Sequence, residues 1–250
     1  MTRLISSLGA LALGLAATAA SAVPIAGLYN TGVSNAGAAL AADVVDSHYA
    51  FSVVTGTALG TGGHGVVQKD ENADLYAWTL NNSSTWNDAV TSNYSRWIIP
   101  AAVASRGYPS YDPSVAGVYD WTLQFNLSGF LVSSATIHGK IGADNSVKVF
   151  LNGTQIVESP YDGGNNSYSF YEANAATFSI TGGAGLNSGL NTLTFEVTNT
   201  PNSSGNPTGL RTYFTSDVTP VPEPQTWALM GVGLALLTLA AYRRRATQGL

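Results

Sequence analysis

The chain has 250 residues, no cysteine, 10% charged and 45% hydrophobic residues, and a formal net charge of −5. The absence of cysteine excludes disulfides and thiol chemistry. Taking Arg3 and Arg243, Arg244 and Arg245 from the ten basic residues leaves six between the termini, against fourteen of the fifteen acids, so the middle carries a net charge of −8. A domain of that sign repels polyanions, and nucleic acid is excluded as a partner.

Residues 1–22 have the order of a signal peptide. Arg3 supplies the positive start, and Leu4 to Ala17 form a short apolar run. Ala20-Ser21-Ala22 provides the small-residue cleavage site that signal peptidase needs, with cleavage bounded by Ala20 and Ala22. The reading therefore places residues 23–218 outside the cytoplasm as one folded ectodomain.

That middle is rich in Gly, Ser, Thr, Asn and aromatic residues, a mix that suits strands and tight turns. Ala36 to Val45 has the composition for a short helix, but its small side chains give it little to bury. His48 to Thr55 and Leu75 to Leu80 read as strands of weak pattern. Val118 to Leu127 reads most clearly, because Tyr119, Trp121, Leu123, Phe125 and Leu127 alternate with mostly polar neighbours. Ala135 to Ala143 alternates in the same way. Val147 to Leu151 and Thr154 to Glu158 flank Asn152-Gly153, a hairpin signal, since both central residues of a type I′ turn need positive φ. Leu190 to Thr198 and Leu210 to Ser216 complete the set. Many short strands and no convincing helical period predict an all-β jelly-roll sandwich.

From Tyr119 to Phe214 this pattern is similar to galactose-binding-like jelly rolls. The residues that carry the likeness are Ala143-Asp144-Asn145-Ser146, Val149-Phe150-Leu151-Asn152-Gly153, Gly189-Leu190-Asn191-Thr192-Leu193 and Pro207-Thr208-Gly209-Leu210-Arg211. The resemblance implies two packed sheets whose loops at one end hold a ligand.

Residues 219–225 form a proline-rich stalk containing Val221-Pro222-Glu223-Pro224. An uncharged apolar run follows at 226–242, and residues 243–250 open with Arg243-Arg244-Arg245. A helix over that run would be about 25 Å long, a little short of a ~30 Å hydrocarbon core. The arginines place the C-terminus in the cytoplasm, in agreement with the N-terminal signal. This order resembles the PEP-CTERM sorting signal. The resemblance implies recognition by an exosortase, transient residence in the inner membrane, a Gram-negative bacterium that makes exopolysaccharide, and delivery to the envelope or matrix. Biofilm is the setting it implies. An ordinary C-terminal anchor with a stiff stalk is the simpler alternative.

The chemistry of the middle is sparse. His48, His64 and His138 have no zinc-motif spacing, and no GxSxG elbow is present. The expectation is therefore no enzyme and no required cofactor. Asp70, Asn72 and Asp74 alternate as calcium ligands do, but Leu75 and Asn81 stand where such a loop needs Gly and Glu. A solvated acidic turn is the plainer reading, with Ca²⁺ as the alternative. For glycan contact the residues singled out are Trp86 and Trp97 for stacking and Asp144 and Arg211 for hydroxyls. Three functions remain: an exopolysaccharide-binding surface protein, an adhesive or structural surface protein, and a polysaccharide hydrolase.

Overall fold

The computed structural model describes residues 20–56, 62–67, 95–100, 116–160, 169, 174–201, 208–222 and 224–248, with helical side chains from 229 to 244. Two compact units emerge: Ala22–Thr219, and a second that contains Pro220–Leu250.

The first unit is all-β. Its strands are β1 (Val45–Thr55), β2 (Gly62–Val67), β3 (Ile98–Pro100), β4 (Gly117–Asn126) and β5 (Phe130–Asp144). They continue with β6 (Ser146–Leu151), β7 (Thr154–Glu158), β8 (Ala176–Ile180), β9 (Leu190–Asn199) and β10 (Gly209–Pro220). In place of two separate sheets, the ten strands form one hydrogen-bonded sheet in the order β7-β6-β9-β4-β1-β2-β3-β10-β5-β8. The sheet curls until it is nearly a barrel, because strand twist accumulates and bulges bend the strands further. Register shifts lie between Asp46 and Ala50 and between Val53 and Thr55 on β1, and between Val149 and Phe150 on β6. The three-residue β3 connects the two halves, pairing with β2 on one side and β10 on the other.

The central ladder is β4 against β9, ten residues in unbroken antiparallel register from Gly117↔Asn199 to Asn126↔Leu190. Trp121 stands opposite Phe195 and Leu123 opposite Leu193, so the alternation puts large side chains from both strands on one face. These four are buried, together with Tyr49, Ile137, Ile141 and Val149. Phe51 lies 4.9 Å from Trp121 between ring centroids. The Asn152-Gly153 turn has φ of 50° and 83°, the left-handed pair that a type I′ hairpin requires.

Between Ala36 and Val45 the chain makes turns and a Val33↔Ala39 bridge instead of a helix, in keeping with its lack of an apolar stripe. The expected strand at Leu75 to Leu80 lies outside the described residues, as do residues 1–19 of the expected signal peptide.

In the second unit, α1 (Pro224–Gln248) forms over the apolar run. Leu229, Val232, Leu234, Leu236, Leu237, Leu239 and Tyr242 are exposed on it. Among the described residues no helix is long and apolar enough to cross a membrane.

Candidate functional site

A cavity of about 430 Å³ lies on the outer face of β1, β2 and β4. Tyr29, Ser47, His48, His64, Thr122 and Gln124 present its hydroxyl, imidazole and amide groups. The outward positions of β4 supply Thr122 and Gln124, by the same period of two that buries Trp121 and Leu123.

The bulge in β1 shapes the wall. Asp46 is buried, and its Oδ1 accepts the His48 amide at 2.9 Å, a side-chain-to-backbone bond two residues on that bends the strand. Its Oδ2 accepts the Gly32 amide at 2.6 Å. Gly32 has φ of 67°, and a Cβ there would sit 2.6 Å from Arg96 Cβ, so the chain needs glycine at this approach. Burial pushes the Asp46 carboxyl above its ordinary value, while the Gly32 and His48 amides and the His48 ring pull it back. The His48 Nδ1 lies 3.2 Å from Asp46 Oδ1. The His48 ring also stacks on Tyr29, with centroids 3.8 Å apart and planes at 22°. On β2, His64 faces Ala50, and its Nδ1 lies 3.2 Å from the Tyr49 carbonyl oxygen.

The arrangement offers imidazoles, hydroxyls and an amide, the donors and acceptors that bind hydroxyl-rich ligands. Among the described residues no group of three or more His, Cys, Asp or Glu side chains gathers as metal ligands do.

The residues singled out for glycan contact lie elsewhere. Trp97 is 1% exposed, just before β3, and has no face to offer a sugar ring. Asp144, at the end of β5, and Arg211, on β10, are each 2% exposed. Asp144 Oδ1 accepts the Asn145 side-chain amide at 2.7 Å, and burial pushes its carboxyl well above the ordinary value. Arg211 donates through Nε to Ser95 Oγ at 2.9 Å and through Nη2 to the Ser95 carbonyl at 3.1 Å. These polar groups are held inside because their partners come with them, where the sequence reading had them meeting solvent. Trp86, Asp70, Asn72 and Asp74 lie outside the described residues.

At the ends, Ala20 is half-buried and Ala22 exposed. Val221 and Pro222 are exposed, as are Arg243 and Arg244 on α1. Glu223 and the side chains of Pro224 and Arg245 lie outside the described residues.

Sequence reasoning missed that His48 and His64 line one cavity. They are sixteen positions apart and enter one cavity only through the bulged β1–β2 register. The one signal was that both sit in segments flanked by outward-facing polar or small residues.

The fold places the first unit among all-β proteins. The PEP-CTERM protein-sorting motif matches residues 220–245, which marks the C-terminal segment as the sorting signal of an exosortase substrate. That motif implies exosortase processing and export to the cell envelope or surface. No curated protein matches the chain in sequence. Among solved structures, a β-glucosidase from Kluyveromyces marxianus is similar over 46% of this chain and 13% of its own, at 15% identity and a TM-score of 0.27. A GH31 α-xylosidase from Xanthomonas citri is similar over 80% of this chain and 19% of its own, at 8% identity and a TM-score of 0.26. The chain thus spans less than a fifth of either enzyme, and at these scores the likeness carries no argument.

Proposed function

We propose that this is an exported, exosortase-sorted protein of the cell surface or matrix, whose β unit is a non-enzymatic, galactose-binding-like domain that binds a neutral exopolysaccharide. The sorting half of the reading is carried by the PEP-CTERM match at residues 220–245. In this reading α1 holds the chain in the inner membrane until an exosortase acts, and signal peptidase removes residues 1–22 beforehand.

The ligand half is supported by the cavity of β1, β2 and β4, lined by Ser47, Thr122, Gln124 and two imidazoles. A hydrolase would draw on two carboxylates roughly 5–10 Å apart. Among the described residues none that lines this cavity is a carboxylate, which favours binding over hydrolysis there. The adhesive alternative has one observation of its own: Trp97 and Trp121 are both buried, so neither is a stacking platform.

Replacing Pro222-Glu223-Pro224 with alanines tests the sorting half. The altered protein should stay in the inner membrane, held by its apolar helix. Normal departure from the membrane would remove the exosortase reading.

A further inference from the structure

Asparagine followed by glycine is open to deamidation, because glycine has no side chain to hinder attack by its own amide nitrogen on the asparagine side-chain carbonyl carbon. Asn152-Gly153 is the one such pair in the sequence, and it forms the exposed turn between β6 and β7. In the fold its reactive amide is tied down elsewhere. Asn152 Nδ2 donates to the Gly185 carbonyl at 2.9 Å and to Asn191 Oδ1 at 2.9 Å, and Asn152 Oδ1 accepts the Thr192 amide at 3.0 Å. All three partners belong to β9 or to the loop before it, and none to the turn. The Asn152 backbone amide donates to the Thr192 carbonyl at 2.9 Å, so backbone and side chain are held to the same residue.

The latch is itself supported from inside. Asn191 is 0% exposed, its Oδ1 accepts the Asn187 amide at 2.7 Å, and its Nδ2 donates to the Asn187 and Gly189 carbonyls at 3.0 and 2.9 Å. Turning the Asn191 amide over would cost these bonds, so the oxygen that faces Asn152 stays an acceptor.

We propose that Asn152 is a deamidation site gated by these ties: intact while the β6–β7 turn is latched to β9, and converted when the latch opens. In the step the Gly153 nitrogen bonds to Cγ of Asn152 and gives up its proton, the Cγ–Nδ2 bond breaks, and ammonia leaves. Water then opens the succinimide ring, which leaves aspartate or isoaspartate. Neither product can remake the latch. A carboxylate has no N–H to offer Gly185 or Asn191 and is set against two acceptors. Isoaspartate also adds a methylene to the backbone of a two-residue turn, which breaks its type I′ geometry. The conversion is one-way, a chemical record of how long this end of the sheet has stood open. The inference is independent of export and of glycan binding.

The test holds the full chain in warm, mildly alkaline detergent solution, native or in guanidinium chloride, and follows peptides spanning Asn152 by mass spectrometry that resolves isoaspartate. Conversion should be at least about tenfold slower in the native protein, which corresponds to a latch open in no more than about a tenth of the molecules. Asn191→Ala removes one tie; with its fold checked by melting, its native rate should rise roughly 2–10-fold while its rate in denaturant stays the same. Asn152→Asp reproduces one product without the reaction and should melt roughly 2–10 °C below the parent, from the loss of two donated bonds. Equal rates in native and denatured protein, no conversion in either, an unchanged native rate in folded Asn191→Ala, or an Asn152→Asp that melts with the parent would overturn the proposal.

Discussion

Replacing Trp97 with alanine separates a core tryptophan from a sugar platform. Its indole is 1% exposed, beside Ile98 and Ile99, which are equally buried. Removing a buried Trp side chain loses its transfer free energy and leaves a cavity that its neighbours close only in part, about 3–5 kcal/mol in all. For a unit of this size each kcal/mol lowers the melting temperature by about 2–4 °C, so a fall of roughly 6–20 °C is expected. Trp121, 0% exposed and packed on Phe51, should behave alike when replaced by alanine. The assay is thermal melting by near-ultraviolet circular dichroism, with retention on an immobilised neutral glycan measured in parallel at a temperature where each variant is folded. Both variants should melt early and retain glycan as the parent does. If Trp97→Ala melted within about 2 °C of the parent while losing most of its retention, the reasoning from burial would be refuted and Trp97 would return to the binding surface.

The fragment Ala22–Thr219 should fold alone, giving a cooperative melt and a β-type circular dichroism spectrum; a largely helical spectrum would contradict the fold. Gly139→Ala places a Cβ into the ring of Phe178 on the neighbouring β8, and urea titration should show a loss of about 1–3 kcal/mol; no change would mean that the β5–β8 face is loosely packed. Burial raises the carboxyls of Asp46, Asp120 and Asp144, with Glu196 adding to the effect on Asp120. The folded state therefore holds these protons more tightly than the unfolded chain, and their contribution favours folding below the ordinary carboxylate range and is lost as pH rises through the folded values. The urea midpoint should fall from about pH 4 toward neutrality, and Asp144→Asn should flatten that slope; a slope unchanged in the variant would show that Asp144 ionises normally.

The elements legible in the sequence were those whose signal is local. Alternation from Tyr119 to Phe125 marked the buried face of β4, and Asn152-Gly153 fixed the turn between β6 and β7. The sorting motif is a contiguous string, so it too could be read directly. What stayed hidden depends on non-local pairing. β2 reads Gly-Gly-His-Gly-Val-Val, with no alternation, and β3 has only three residues, so neither announced itself. Without them the closure of one sheet through β2-β3-β10 could not be foreseen, nor that one cavity is lined by both His48 and His64. Asp144 and Arg211 misled for the opposite reason. Polar side chains read as surface, and their interior place follows from partners such as Asn145 and Ser95, the latter 116 positions from Arg211.

The most direct measurement on the central claim is the intact mass of the mature protein recovered from the cell surface or medium of a host with an exosortase, against the same host without it. Processing at the sorting signal should give a surface species that lacks Arg243-Arg244-Arg245 and everything after them, and no such species in the host without the enzyme. A surface species that retains Arg243 to Leu250, or one whose mass is the same in both hosts, would contradict the account.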